Sequence, residues 1–435
     1  MSFQQGLSGL NSTSRNLEVI GNNIANANTY GAKSSRAEFA DVFATALNGA
    51  GGSNIGIGVS LSTVAQQFTQ GNITVTENPM DLSMNGAGFF QVSDGKNPTM
   101  YTRNGQFKLD RTGFIVNNQG LKLMGYPADG TGVIQPGTAS PLQLPTAGIK
   151  PAVTSKMDVE LNLDSRAKST VPAAGAPIVF NDPATYNNAT SLTVFDEKGQ
   201  DVALTYYFQK GATDPGTNET TWNIFLTASG VPFPNDGAVP PLPTAPTVTM
   251  VFPANGSAPT SINGISPAAA VAVDVPASTN AQGAPTLAIP GVMLDLSTAT
   301  QYGAAFGVTN VFQDGYAPGQ LSGISVANNG VVTARYSNGQ SKPAGQIEVA
   351  NFRNPQGLMQ TGGNTWNRSF ASGEPIVGVP GDGNLGKLQS GALEESNVDL
   401  TAELVNMVTA QRSYQANAQT IKTMDQVLQT LVNLR

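Results

Sequence analysis

Asp158 and Glu160 stand two residues apart in a stretch of alternating residues. That spacing puts both carboxylates on one face of a strand, the minimum for a glycosidase-type acid pair. Nothing nearby suggests a sugar-stacking aromatic cleft, so they read as solvated edge carboxylates. Gly49 to Gly52 and Gly56-Ile57-Gly58 suggest a phosphate loop, but a third spaced glycine, a Lys-Ser/Thr pair and a preceding strand are all missing. A connector is the better reading. Asp382-Gly383-Asn384 offers oxygen ligands at alternate positions without the further carboxylates and closing Glu of a calcium loop, and reads as a turn. The chain contains no His and no Cys, which removes imidazole acid/base catalysis, thiol nucleophiles, thiolate or imidazole metal sites and disulfides together. No enzyme activity, cofactor or metal is expected.

The elements that carry these residues belong to a chain of 435 residues, enough for two or three domains, with 40% hydrophobic residues to fill their cores. Only 12% of residues are charged, about half the usual share, and the net charge is −7. Between Gly211 and Ala334 there is no Lys or Arg, so no basic stripe exists there to neutralise phosphates, and nucleic-acid binding is excluded. Met1 to Leu10 holds no basic n-region or continuous apolar h-region, and nowhere do eighteen apolar residues run together. Neither a cleaved signal nor membrane insertion is expected. A chain without Cys fits a life outside the cytoplasm.

From Ala392 to Arg435 there is neither Gly nor Pro, which predicts a long C-terminal helix over 391–435. Leu400, Met407, Tyr414, Ile421 and Leu428 repeat every seven, with Leu404, Ala418 and Val432 in a second column that Gln411 and Asp425 interrupt. Ser396 or Asp399 supplies helix-start chemistry. At the other end Phe3, Leu7, Leu10, Leu17 and Ile24 occupy heptad a and d positions of a first helix, with Ser14 and Gly21 in the remaining slots. The two stripes could close on each other as a hairpin within one molecule, or bury against other subunits. Leu393, Val405, Val408, Met424 and Leu431 lie off the main seam and favour additional partners.

Between the helices the pattern is β. Leu192 and Val194, the turn Asp196-Glu197-Lys198-Gly199, then Val202, Leu204, Tyr206 and Phe208 read as a hairpin with one buried face, continued by Trp222, Ile224 and Leu226. Similar runs start near Asp81 and at Leu321, punctuated by Asn85-Gly86, Asn104-Gly105, Thr112-Gly113, Asn329-Gly330 and Asn338-Gly339. Residues 135–153 and 230–291, the latter with Pro240-Pro241, are Pro-rich; the second reads as loops and edge strands, because Val248, Met250, Val251, Val271, Val273 and Val275 keep apolar patterning. The expected fold is mainly β with terminal α-helices: two nested β-rich domains, the second inserted in the first, plus a coiled-coil-like domain formed by the two helices. The expected boundaries are 1–70 for the N-terminal helix and connector, 71–145 with 300–365 for the first β domain, 146–299 for the insertion, 366–390 for a connector and 391–435 for the closing helix.

Asn22-Asn23-Ile24-Ala25-Asn26-Ala27-Asn28-Thr29-Tyr30-Gly31-Ala32-Lys33, extended by Phe39 to Phe43, resembles the signature of the axial proteins of the bacterial flagellum, its rod and hook subunits. Leu393-Glu394, Ser396-Asn397-Val398-Asp399-Leu400, Glu403, Gln411-Arg412, Tyr414 and Asn417 are similar to the closing helix of that family. Asn78 to Leu82, Gly88-Phe89-Phe90, Tyr101 to Phe107 and Gly120 to Leu123 resemble its first β domain. One departure is Ala32, where the family usually carries a bulky aromatic. Rod members are typically shorter and lack a large insertion, so the hook branch fits better than a distal rod protein. The resemblance implies a motif at Asn22, Asn23, Ile24, Asn26, Asn28, Thr29 and Gly31, and a helical homopolymer assembled through the terminal helices. It implies a hollow, bendable tube acting as a universal joint between rod and filament. It further implies partnership with the rod, the hook cap, the hook–filament junction proteins and the flagellar type III export apparatus, and an extracellular location at the basal body and hook. Outside this class stands a surface adhesin, for which Tyr206, Tyr207 and Trp222 would be the stacking platform.

Overall fold

The computed structural model describes residues 2–42, 56, 58–171, 178–234 and 243–433. Phe43, the Gly49–Gly52 cluster, Ile57 and Pro240-Pro241 lie outside the described residues, as do the side chains of Leu431 and Val432. The chain divides into two compact units. One comprises Met1–Thr146, Leu321–Arg335 and Ser341–Arg435; the other, Ala147–Gln320 with Tyr336–Gln340, interrupts it in sequence.

The interrupting unit holds two sheets. In one, Asn188–Phe195 pairs with Asp201–Thr213, which pairs with Thr220–Ala228 and so on to Val248–Phe252 and Ser261–Ile262. The other runs Val271–Val275, Ile289–Asp295, Lys156–Asn162, Gly307–Gln313, with a parallel pair at its centre. The turn at Asp196 forms because its carboxylate accepts from the amides of Lys198 and Gln200 while Gly199 takes φ +77°. Register follows: Val194 faces Val202 and Leu192 faces Leu204. Alternate residues then point inward, and Val202, Leu204, Tyr206, Phe208, Trp222 and Ile224 share one core with Met157, Val159 and Leu161 of the other sheet. Tyr206 and Trp222 are thus packed inside, and the platform an adhesin would need is not on the surface. Tyr207 points the other way, against Phe180 and Tyr186. Trp222 is fully buried with its indole N–H lacking an acceptor. Trp222→Ala is expected to cost about 3–5 kcal/mol through cavity formation, and Trp222→Phe distinctly less because it removes the stranded donor. Urea unfolding followed by circular dichroism measures both.

The first unit carries helix α1 (Ser2–Ala25), an antiparallel hairpin of β1 (Ser35–Val42) and β2 (Gly58–Gln66), a large sheet, and helix α2 (Leu400–Asn433). The sheet path includes Val331–Tyr336, Ser341–Ile347, Lys122–Pro127, Phe89–Ser93, Met100–Thr102 and Thr365–Asn367. Phe90, Val92, Phe107, Leu123, Leu142, Val332 and Ile347 fill its main core. A second, aromatic cluster sets Phe68, Phe89 and Trp366 edge to face.

Three expectations need correction. The closing helix does not begin at 391: Ala392–Glu394 is a strand paired with Ile73–Val75, its three residues all buried, and α2 starts at Leu400 where Asp399 caps the amides of Thr401 and Ala402. Lack of helix breakers permits a helix without compelling one, and burial decided. Segment 366–390 is no free connector, since Ile376–Gly378 and Lys387–Ser390 pair with Val349–Asn351 and Leu82–Asn85. Residues 300–320 belong with the interrupting unit, because Gly307–Gln313 pairs with Lys156–Asn162 and brings Val308 and Val311 to that core.

Candidate functional site

The helix α1 lies antiparallel to α2. A methyl group added to Gly6 would come 3.1 Å from the Ile421 side chain, one on Gly9 would come 2.8 Å from Asn417, and Asn23 Nδ2 donates to Glu403 Oε1 at 3.0 Å. Gly6, Gly9, Thr13, Asn16, Ile20 and Asn23 repeat with 3-4 spacing and make the α1 side of this seam or line the 460 Å³ cavity beside it, facing Glu403, Asn406, Ala410 and Asn417. Gly6 and Gly9 let the backbones approach, with Ile20 and Ile421 as the apolar members, so side-chain size selects the face as much as hydrophobicity does. The hairpin closes α1 from another side: Ser8 Oγ accepts from Val59 N at 2.9 Å and Gln5 Nε2 donates to Gly56 O at 2.7 Å.

This arrangement leaves much of the expected apolar stripe outside the seam. Phe3 and Leu7 are 47% and 44% exposed, and Leu400, Leu404, Tyr414 and Leu428 are exposed as well. Leu10, Leu17, Ile24, Met407 and Ile421 are half-buried, and of these Ile421 meets Gly6. Off the stripe, Val405 and Val408 are exposed, Met424 is half-buried and Leu393 is buried.

The Asn-rich motif ends α1 and turns the chain. Asn23 Oδ1 accepts from Ser35 N at 2.8 Å and its amide returns a bond to Ser35 O, so one buried side chain stands in for a strand partner. Asn26 Nδ2 donates to Asn22 O and Thr29 N to Asn26 O, while Asn22 and Asn28 are exposed and Ile24 half-buried. Gly31 holds φ +71° and donates to Glu394 O at 2.8 Å; a Cβ there would sit 2.5 Å from Asn104 N. Gly31→Ala is therefore expected to cost about 2–4 kcal/mol from left-handed strain plus a backbone clash, read as a lower urea midpoint at unchanged m. Ala32 is buried, beside a cavity of about 180 Å³ also lined by Asn22, Asn26, Gln66, Asn364 and Trp366.

Two residues beyond Gly31 the chain meets an ionic anchor. Lys33 Nζ donates to Glu394 Oε1 at 2.5 Å and to Thr69 O at 2.7 Å; Arg103 Nη1 donates to Glu394 Oε2 at 3.1 Å and Nη2 to Gly86 O at 2.9 Å. Gly71 N adds a third donor to the carboxylate, at 3.0 Å. Burial pulls the Lys33 ammonium and the Arg103 guanidinium below their usual pKa, and the Glu394 carboxylate pulls both back up. Asn397 completes the tie, accepting from Ser34 N and donating to Gln67 O and Thr69 Oγ1. The segment leaving α1, the segment after β2, the sheet turn at Arg103 and the approach to α2 are thereby fastened at one point.

Of the other residues with chemical promise, Asp158 bonds Lys156 and Glu160 is exposed, but their strand is interior and not the edge expected, since Lys156–Asn162 pairs with both Ile289–Asp295 and Gly307–Gln313. Gly58 pairs with Val42 at the end of the hairpin. Asp382 forms a turn with Leu385.

Four family models cover most of the chain: "Flagella basal body rod protein" matches residues 3–33, "Flagellar hook protein FlgE/F/G D1 domain" 83–171, "Flagellar basal body protein FlaE D2 domain" 162–316, and "Flagellar basal body rod FlgEFG protein C-terminal" 389–434. The flagellar hook protein FlgE of Salmonella typhimurium is 40% identical over 437 residues, covering 100% of both chains. FlgE of Rhizobium meliloti is 33% identical over 440 residues, covering 100% of this chain and 98% of its own. The crystal structure of Helicobacter pylori flagellar hook protein FlgE2, at 15% identity, shares the fold with a TM-score of 0.50 over 74% of this chain and all of its own. With the Asn23 turn and Gly31 in the segment that matches the rod model, and full-length identity to hook proteins, this chain belongs to the flagellar hook protein family.

Proposed function

We propose that the chain is the structural subunit of a flagellar hook and polymerises through α1 and α2 into a hollow, bendable tube that carries torque from rod to filament. The observation that carries this reading is the seam between the helices. Beside Ile20 and Ile421 it is built from glycines and small or polar residues, while Leu400, Leu404, Val405, Val408, Tyr414, Val427 and Leu428 stay exposed along α2. Water-facing apolar residues at this density on one helix call for cover, and further copies of the chain supply it.

The domain plan proposed with it is a helical part, a discontinuous first β domain and an inserted second one. Partners of the polymer are the rod, the cap, the junction proteins and the export apparatus, with the subunit located outside the cell. The surface from Gly211 to Ala334, free of Lys and Arg, suits contacts that shift in register, because fixed ion pairs would resist sliding.

Immunogold electron microscopy of intact cells, with an antibody to residues 147–320, tests the proposal. Gold on a short curved segment at the base of each flagellum is the expected result. Label seen only after the outer membrane is opened would make the chain a rod protein, and label over the cell body an adhesin.

A further inference from the structure

The loop Ser369-Phe370-Ala371-Ser372-Gly373 lies in the link between Thr365–Asn367 and Ile376–Gly378, and hydrogen bonds pin it. Ser369 Oγ donates to Gly357 O and accepts from the amides of Ala371 and Ser372, Ser372 Oγ donates back to Ser369 O, and Asn354 Nδ2 donates to Ala371 O at 3.1 Å. Phe370 on this loop is fully exposed. A backbone tied so closely holds its aromatic out as a knob, and seating that ring in a contact loses little conformational freedom. The same unit carries a socket of about 200 Å³, lined by Asn351, Ile376, Val377, Asp382, Asn384 and Leu385. Ile376–Gly378 pairs only with Val349–Asn351 among the described residues, so the half-exposed Ile376 and Val377 stand at a sheet edge, and the turn that Asp382 closes with Leu385 forms another wall. Volume and aliphatic lining suit a phenyl ring, since an apolar cavity of about 150 Å³ takes up benzene. Phe370 of the same molecule is not among the walls.

We propose that Phe370 of one copy seats in the Ile376–Val377–Leu385 socket of a second copy, which gives the first unit a contact of its own beside that of the terminal helices; this rests on the assembly proposed above. Knob and socket are different patches, so the contact is heterologous. Each copy gives its ring to one neighbour and takes a ring from another, and such a contact repeats along an open helical array instead of closing.

The chain has no Cys, so introduced thiols report without background. Full-length Phe370→Cys and Ile376→Cys are assembled as an equimolar mixture well above the polymerisation threshold, oxidised and run on a non-reducing gel. A dimer band is expected from the mixed polymer, and from neither the single-variant polymers nor the unassembled mixture. Mixing two single variants also rules out a bridge within one chain. In parallel, Phe370→Ser should melt within about 1 °C of wild type, because the ring is bare in the free subunit, and should raise the polymerisation threshold about tenfold. Polymer that forms without the mixed dimer overturns the contact, as does an unchanged threshold for Phe370→Ser or an equally strong dimer band in the unassembled mixture. Each of these leaves assembly through the helices standing. Wild-type chain that makes no polymer overturns that assembly, and this contact with it.

Discussion

Glu394→Gln is expected to destabilise the first unit by about 3–5 kcal/mol, the cost of leaving buried charge without its counter-ion. Both carboxylate oxygens are engaged, one by Lys33 and Gly71 N, the other by Arg103. In glutamine one of them becomes an NH₂ group that must face a cation's N–H, so donor meets donor and the formal charge of the cluster rises to two. Local unfolding should begin where the anchor ties segments together, exposing Arg36 and Lys33 to trypsin before the sheet melts. Glu18→Gln is the matching control: the Arg15–Glu18 pair is well over half exposed on both sides and its loss should move stability by less than about 0.5 kcal/mol. Urea titration of the two variants decides the matter, and equal midpoints would refute the anchor's role. Replacing Lys33, Arg103 and Glu394 together by apolar residues should recover much of the loss, because the desolvation cost disappears with the charges.

Leu404→Gln combined with Leu428→Gln is expected to do the reverse, sparing the subunit and stopping the polymer. Both leucines are just over half exposed in the free chain, and glutamine has nearly leucine's helix propensity, so the free subunit should melt within about 0.5 kcal/mol of wild type. If these side chains bury at subunit contacts, losing two apolar anchors should cost more than about 2 kcal/mol, or roughly a thirtyfold rise in the concentration needed to polymerise. Sedimentation of polymer from purified subunit and swimming of a complemented strain report the outcome. Unchanged polymer yield would remove these positions from the assembly surface.

The β pattern was legible wherever strands were long enough to show a period of two. Val194, Val202, Tyr206, Phe208 and Trp222 could be placed on one buried face from alternation and the Asp196–Gly199 turn alone. Three-residue strands such as Ile376–Gly378 and Ala392–Glu394 show no period, and their pairing is set by partners far along the chain. Both helices were legible, their mutual face was not. Apolar residues mark what a helix wants to bury, whereas Gly6, Gly9 and Asn23 mark where two backbones come close, and a hydrophobicity pattern is blind to that. The anchor was hidden for a plainer reason. Lys33 and Glu394 are 361 residues apart and Arg103 and Glu394 are 291 apart, so no local window holds two of its members. Each stood inside a quoted motif without a hint that the motifs meet.

The antiparallel register has a geometric corollary. Gly6 opposite Ile421, Gly9 opposite Asn417 and Asn23 bonded to Glu403 together align Ser2 with a residue near 424, while α2 continues to Asn433. About nine residues, some 13 Å of helix, run past the end of α1. Val427 and Leu428 on this overhang are each more than half exposed. Such a tip behaves as a tenon: it has no mortise among the described residues of its own molecule, and removing residues 426–433 would shorten the joint without loosening the timber. On the proposed assembly, fold and polymer contacts are then written on successive stretches of one helix, the first three-quarters locking the subunit and the last quarter free to evolve with whatever receives it.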